Sequence, residues 1–465
     1  MARVIFLQRI WHEYGGPEII SAVLKEYGHK ADLFIDKAPH LRDNIEPNDI
    51  VAFSIMSGEH HWALEVASRI KSRSKVLTVF GGPHPTYFPE IINHPAVDIV
   101  CRGEGEFAML DLANAYDKDK NPSAIPNLLV KRGNRIKIND VRPLIPDLDS
   151  LPFPDRTIYY KYRLLRDSPL KTFMASRGCP FSCSFCFNEK LRSIYAGKGR
   201  YVRFRSPRNL IDEIKETEAQ YGLRSIYFVD DLFAFNPRWL AEFSALYKKE
   251  IKKRLICSAN VNTLNEEMIR LLKDAGCSVV SFGIETGNER LRYKLLNKHI
   301  TNDRIQKLGR LLKKYGLKAM TFNITGLPGE TIEDALETIR LNIGIGAQYP
   351  RCSILTPYPG TRLAEDFREK IEIDGIYSTH QQLKISFEVE NPKELYNLHC
   401  FFQTVIIFPF SLGLIKRLIR LPPNIFFKLW WLVVYFCVFV KSEARSPART
   451  LAAAFKTFGV IKYEA

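Results

Sequence analysis

The chain has 465 residues, 46% hydrophobic and 25% charged, which excludes the disordered, collagen-like and small disulfide-scaffold classes. At about 150 residues per domain, that length predicts two or three domains. The net charge of +16 admits nucleic acid, a membrane surface or anionic ligands as partners until its position along the chain is considered.

The opening residues, MARVIFLQRI, read as a core strand from Val4 rather than an export signal, since they show no separate charged and apolar regions and no small-residue cleavage site. Short apolar runs then alternate with helical patterns: VIFLQ, a helix from Pro17 to Tyr27, ADLFID, DIVAFSIM, a helix from Glu59 to Lys71, VLTVFGG and DIVCRG. This alternation predicts a doubly wound (flavodoxin-like or Rossmann-like) parallel sheet over residues 1–125. Such sheets bind ligands beyond the carboxyl ends of their strands. Those ends carry Ser54, Ser57, Gly81, Gly82, His84, Gly103, Glu104, Gly105 and Glu106. His84 and Trp62 read more readily as packed or surface residues than as ligand contacts.

Residues 126–165 are proline-punctuated without helical periodicity, the pattern of a linker containing a hairpin. From 166 to 390 the alternation resumes through KTFMASRG, SIYFVDD, ICSANVN, VVSFGIET, AMTFNITG and CSILTPY. Six strand-helix units predict a partial (β/α)6 barrel with its working residues on the loops after the strands. Residues 391–465 predict a mostly helical, basic and aromatic tail. From residue 400 onward, nine Lys or Arg face two Glu, a net +7. The apolar run Ile425 to Val440 is shorter than the roughly twenty residues that span a bilayer. It reads either as a buried helix closing the open barrel or as an interfacial element with Trp430 and Trp431 at headgroup depth. Basic residues interleaved with large apolar ones argue against nucleic acid.

Nine cysteines are few for this length, and Cys179, Cys183 and Cys186 fall within eight residues, which points to ligation in a reducing cytosol rather than to disulfides. Three closely grouped thiolates can hold a 4Fe-4S cluster with one iron open to substrate. A structural zinc site would ordinarily need four ligands, and no second Cys-x-x-Cys or His-x-x-x-His stands nearby.

The segment Ser176-Arg-Gly-Cys-Pro-Phe-Ser-Cys-Ser-Phe-Cys186 resembles the cluster motif of the radical S-adenosylmethionine (radical SAM) superfamily. Phe-Val-Asp230-Asp231 resembles the second-strand end of its cobalamin-dependent branch, Phe282-Gly-Ile-Glu285-Thr its ribose-contacting strand, and Asn323-Ile324-Thr-Gly326-Leu-Pro-Gly-Glu330 its adenine-contacting segment. Gly81-Gly-Pro-His-Pro-Thr86 and Val97-Asp-Ile-Val-Cys-Arg-Gly-Glu-Gly-Glu106 resemble the cobalamin-binding domain fused to such enzymes. No Asp-x-His-x-x-Gly is present to supply an axial histidine.

The resemblance implies three cofactors: a 4Fe-4S cluster on the three cysteines, S-adenosylmethionine chelating the open iron, and cobalamin. It implies that Phe185 and the segment Ile324 to Gly326 hold adenine and that Glu285 holds the ribose hydroxyls. The implied reaction is methylation of an unactivated carbon of a small-molecule or lipid-linked substrate, with oxidative cyclisation or rearrangement as the alternative within the branch. A flavodoxin or ferredoxin would supply electrons to a cytoplasmic enzyme, and the tail would allow peripheral contact with the inner face of the membrane. Two further readings remain at this stage: a lid-like first domain without cofactor, and an electron-transfer protein whose cluster never meets S-adenosylmethionine.

Overall fold

Strands covered on both faces read as near-continuous apolar runs, and in a computed structural model of the chain the first such runs form the body of a seven-stranded sheet. The structure describes residues 1–35, 45–367, 385–443 and 445–461. β1 (Arg3–Gln8), β2 (Lys30–Ile35), β3 (Ile50–Ser54), β4 (Leu77–Gly81) and β5 (Ile99–Cys101) run parallel in the order β2-β1-β3-β4-β5. They alternate with α1 (Gly15–Glu26), α2 (His60–Lys71), α3 (Pro83–Tyr87) and α4 (Glu106–Asp117). Val4, Phe6 and Ile50 pack with Leu24 of α1 and Leu112 of α4, whereas Ile5, Val51 and Phe53 pack with Trp62 and Val66 of α2. The sheet is therefore covered on both faces. Strand order reverses between β1 and β3, so the loops after them leave in opposite directions and open a crevice at the carboxyl ends.

The expected linker is largely part of this unit. β6 (Leu128–Arg132) and β7 (Arg135–Ile138) form a hairpin paired antiparallel onto β5, which carries the sheet past residue 125. In α5 (Thr157–Tyr160) and α6 (Arg163–Arg166), Ile158, Tyr159, Tyr160 and Leu165 are buried in the first core. Tyr159 donates a 2.5 Å hydrogen bond to the Gln8 side chain at the end of β1. Prolines removed the helical period here, but the aromatic side chains between them supply the burial.

The second sheet has six parallel strands in sequential order: β8 (Leu170–Phe173), β11 (Ser225–Phe228), β12 (Arg254–Ser258), β13 (Cys277–Glu285), β14 (Lys318–Thr325) and β15 (Tyr349–Ile354). β9 (Ser176–Arg177) and β10 (Arg203–Phe204) form a small antiparallel pair beside it. After α7 (Asn188–Ile194), the helices α8 (Pro207–Tyr221), α9 (Pro237–Glu250), α10 (Glu266–Asp274), α11 (Asn302–Lys314) and α12 (Ile332–Gly344) return the chain between strands. They begin where side-chain caps allow: Ser206 accepts from Asn209 N–H just ahead of Pro207, and Thr331 with Asp334 forms a capping box. Cys257, Phe282 and Ala319 face these helices, while Ile256, Val279 and Met320 face the opposite, concave side.

α13 (Arg362–Asp366) precedes the helical tail of α14 (Pro392–Ile407), α15 (Leu412–Leu418), α16 (Ile425–Glu443) and α17 (Pro447–Ile461). The sixteen-residue apolar run understates α16. Lys441, Ser442 and Glu443 continue the helix to 19 residues, long and apolar enough to cross a membrane by length and composition. Its Val434 and Val438 nevertheless sit against Ile256, Val279, Met320 and Tyr349, on the concave face of the open barrel.

Candidate active site between the two sheets

The cluster loop leaves β9 through Gly178, whose φ of +89° and closeness to the Tyr201 carbonyl leave no room for a Cβ. The loop is then pinned from several sides. Ser184 donates through its hydroxyl to Leu295 O at 2.5 Å and through its N–H to Leu296 O at 3.0 Å, and Asn297 donates to Ser182 O at 2.6 Å. Cys186 N–H bonds Cys183 O, and the Asn188 amide approaches Cys186 Sγ at 3.6 Å. The three cysteines are half-buried, uncrosslinked and within electrostatic reach of one another and of Lys298; Cys179 and Cys186 also feel Asp231, and Cys183 feels Glu285. Burial pushes the Cys179 and Cys183 thiols up to about 11, so binding as thiolates requires a cation to displace the proton.

Among the described residues, no three His, Cys, Asp or Glu side chains converge closely enough for a single ion. A cubane engages each thiolate through a different iron, so its ligands stand further apart than those on one zinc. Of the remaining cysteines, Cys101, Cys257, Cys277, Cys352 and Cys400 are buried and Cys437 lies on α16, so none joins the loop. The donor set thus fits a cluster with three protein ligands and one open iron.

Around this loop the structure brings together most of the residues expected to hold S-adenosylmethionine. Phe185 packs into an apolar wall with Ile324, Leu296, Leu327 and Leu355, a surface suited to a flat ring. Gly326 has φ +77°, and its N–H donates to Glu330 Oε2 at 2.6 Å. Glu285 closes β13 in the left-handed region, φ +65°, where the register with β14 shifts. Its carboxylate is buried and accepts from Lys298 Nζ at 2.7 Å, with Gly283 beside it because any Cβ there would strike the pair. Sequence reading missed Lys298, although it lies only thirteen residues beyond Glu285.

The two aspartates part company. Asp230 is buried and accepts from Ala175 N–H at 3.0 Å and Ser176 Oγ at 2.5 Å, so it clamps the chain between β8 and β9 instead of facing a ligand. Burial pushes its carboxyl up to about 6 against those hydrogen bonds. Asp231 is solvent-accessible and lies within electrostatic reach of Cys179, Cys186, Tyr87 and Tyr201; desolvation pushes its carboxyl upward, partly offset by the Asn188 amide.

At the crevice of the first sheet, Ser54 pairs in register with Gly81, and Ser57 Oγ lies 3.1 Å from His84 Nδ1. The His84 ring stacks on His60 at 4.2 Å; burial and the neighbouring imidazoles hold His84 down to about 3 and His60 to about 4, so both are neutral at physiological pH. Gly15, on the opposite lip, has open space where a Cβ would stand. Hydroxyls, neutral imidazoles and an open glycine lip form a donor set that fits a large, polar-edged flat ligand. Gly82 has a different reason: at φ +90° its Cβ would stand 2.8 Å from Ile55 N, so the chain's own crossing requires it.

In the Gly103 to Glu106 loop both carboxylates are taken up by arginines of the second unit. Arg177 donates to Glu104 Oε1 at 3.0 Å and to Glu106 Oε1 at 2.6 Å, and Arg203 donates to both oxygens of Glu104 at 2.7 and 3.1 Å. A Cβ on Gly103 would strike the Tyr195 hydroxyl, which accepts from Glu104 N–H at 2.7 Å, while one on Gly105 would crowd Ile20. These carboxylates therefore bind the first sheet to the strand that carries the cluster loop. Tyr87 of α3 stacks on Phe187 at 4.4 Å and completes the junction. A separate hollow lined by Lys71, Lys75, Asp98 and Tyr116 opens near the start of β4 and contains none of the expected site residues.

The radical SAM superfamily profile matches residues 174–341, and the B12 binding domain profile matches residues 7–113. An uncharacterized methyltransferase of Pyrococcus horikoshii is 34% identical over 322 residues, covering 68% of this chain and 69% of the relative. The chain belongs to the cobalamin-dependent radical SAM enzymes. Solved structures of similar fold include the radical S-adenosylmethionine methyltransferase TsrM of Kitasatospora setae, with cobalamin and a [4Fe-4S] cluster bound (TM-score 0.64, 18% identity, 79% of this chain and 75% of that one). The cobalamin-dependent S-adenosylmethionine radical enzyme OxsB, with aqua-cobalamin and S-adenosylmethionine bound, has TM-score 0.68 and 16% identity over 95% of this chain and 72% of that one. A cobalamin-dependent radical SAM enzyme uses a 4Fe-4S cluster, S-adenosylmethionine and cobalamin, and both parts of the junction described above belong to matched segments.

Proposed function

We propose that this enzyme methylates an unactivated carbon of a small-molecule or lipid-linked substrate. The observation that carries the reading is the junction: the segments after β4 and β5 of the cobalamin-binding unit meet the cluster-bearing segment across Tyr87–Phe187 and Arg177–Glu104, so methyl donor and radical source would share one cavity. When bound, the cluster supplies the electron that cleaves the sulfonium to a 5′-deoxyadenosyl radical, and cobalamin supplies the methyl group.

The chain's own residues bind, orient and exclude water. Cys179, Cys183 and Cys186 hold the cluster. Phe185, Ile324 and Gly326 take the adenine, Glu285 accepts from the ribose hydroxyls, and Lys298 beside it meets the methionine carboxylate. Ser54, Ser57, Gly81 and His84 line the cobalamin crevice, and Asp231 stands where it can position substrate. We assign residues 1–125 with their hairpin and α5–α6 to cobalamin, the barrel to S-adenosylmethionine, and residues 391–465 to a C-terminal helical unit. A flavodoxin or ferredoxin would donate electrons to a cytoplasmic, membrane-peripheral enzyme.

Anaerobic reconstitution with cobalamin, reductant, deuteromethyl-labelled S-adenosylmethionine and candidate substrates tests the reading by mass spectrometry. A product carrying a labelled methyl group is the expected result. A product oxidised or cyclised without methyl gain would replace it with the cyclase reading.

A further inference from the structure

α16 presents two apolar faces, and only one of them is used. On the inner face Trp431, Val438, Ser442 and Glu443 are buried. Glu443 accepts from Arg351 of β15 at 2.7 Å and from Arg445 at 2.6 Å, and Ser442 O accepts from Arg254 of β12 at 3.0 Å. Phe427 packs on Phe401 and Trp430 Nε1 donates to Thr404, which ties the other end to α14. Nineteen residues would reach across a bilayer core, but spanning would tear these contacts from the barrel. The helix is seated lengthwise.

The outer face is equally apolar and faces solvent: Phe426 is 74% exposed, Leu429 50% and Val433 58%. These three lie at i, i+3 and i+7 on one helix stripe, and in the turn and helix that precede α16, Phe410 is 86% exposed and Leu414 of α15 60%. Isolated exposed apolar residues are ordinary, but a contiguous patch of them marks an interaction surface. Charge identifies what covers it. From residue 400 to 456 the only carboxylate is Glu443, which is buried and paired, while Lys416, Arg417, Arg420, Lys428 and Lys441 are all exposed. A second copy docking isologously would bring this basic surface against itself. A surface of opposite charge and apolar interior has neither objection.

We propose that the outer face of α16, with α15 and the Phe408–Phe410 turn, lies in the headgroup layer of an anionic membrane, parallel to its plane. Phenylalanine and leucine side chains enter the acyl boundary while Lys416, Arg417 and Arg420 meet lipid phosphates. The inner face meanwhile holds the concave side of the barrel against the membrane-bound element. This rests on the membrane-peripheral reading above and gives it a surface, yet it stands apart from the choice of reaction.

Flotation of the purified holoenzyme with phosphatidylglycerol or phosphatidylcholine vesicles tests it. Recovery with phosphatidylglycerol at low salt, falling about tenfold at high salt, is expected. The double variant Phe410→Asp/Phe426→Asp should fail to float while keeping its cluster absorbance and S-adenosylmethionine cleavage. Lys416→Glu/Arg417→Glu/Arg420→Glu should lose the preference for phosphatidylglycerol. Absence from both vesicle types at every salt concentration would overturn the proposal. So would a dimer, seen by sedimentation equilibrium, that Phe426→Asp dissociates. Neither result touches the methylation reading, which the labelled-methyl experiment decides separately.

Discussion

Arg177 and Glu104 meet at 3.0 Å, which ties a carboxylate of the first unit to the residue two positions before the first cluster cysteine. Arg203 shares the same carboxylate at 2.7 Å and is itself 5% exposed. Removing one partner of a buried, hydrogen-bonded pair leaves the other charge uncompensated, at a cost of about 3 kcal/mol. Glu104→Ala should lower unfolding free energy by about that amount in denaturant titration. It should also uncouple the two cofactor sites: S-adenosylmethionine cleavage persists while methyl transfer per cleavage falls. Unchanged coupling would show the ion pair to be structural only.

The cluster has no reserve ligand. Replacing Cys179, Cys183 or Cys186 by Ala should abolish both the iron-sulfur absorbance and S-adenosylmethionine cleavage, because none of the other cysteines joins the loop. Full activity in any of the three would refute the assignment.

Lys298 and Glu285 form a buried pair at 2.7 Å beside the cysteines, and each is assigned a charged contact to S-adenosylmethionine. A lost charge-assisted hydrogen bond is worth about 1.5–3 kcal/mol, so Lys298→Gln and Glu285→Gln should each weaken S-adenosylmethionine binding by about tenfold or more. Equilibrium dialysis on reconstituted protein reads this directly, with cluster content as the control.

Glu330 is 1% exposed, and burial raises its carboxyl to about 8 despite N–H bonds from Gly326 and Leu327. Because the folded pKa lies above the unfolded one, the folded state binds more protons between them. The contribution of this group is complete below about pH 4.5 and is lost as pH rises through about 8. Glu330→Gln should therefore flatten the decline of stability with pH across that window, as measured by thermal unfolding at a series of pH values. An unaltered slope would place the proton elsewhere.

Much of this was decided by local sequence. Uninterrupted apolar runs gave the strands of both sheets, and a cap such as Ser206 ahead of Pro207 opened a helix without help from afar. The Cys179, Cys183 and Cys186 spacing lies within one loop, so the cluster site needed no knowledge of the rest of the chain. Tertiary structure decided what depends on which loops are brought face to face. Asp230 and Asp231 are adjacent in sequence, yet one turns inward to Ala175 and Ser176 and the other outward to the cysteines. Glu104 and Glu106 read as ligand contacts until Arg177 and Arg203 arrived opposite them, although two acids in a glycine-rich loop did signal a need for basic partners. The proline-rich segment read as linker because periodicity reports helix, not burial; its tyrosines enter the first core. α16, apolar over most of its circumference, could not reveal from composition which face meets the barrel and which remains open, since packing against Ile256, Met320 and Tyr349 decides it.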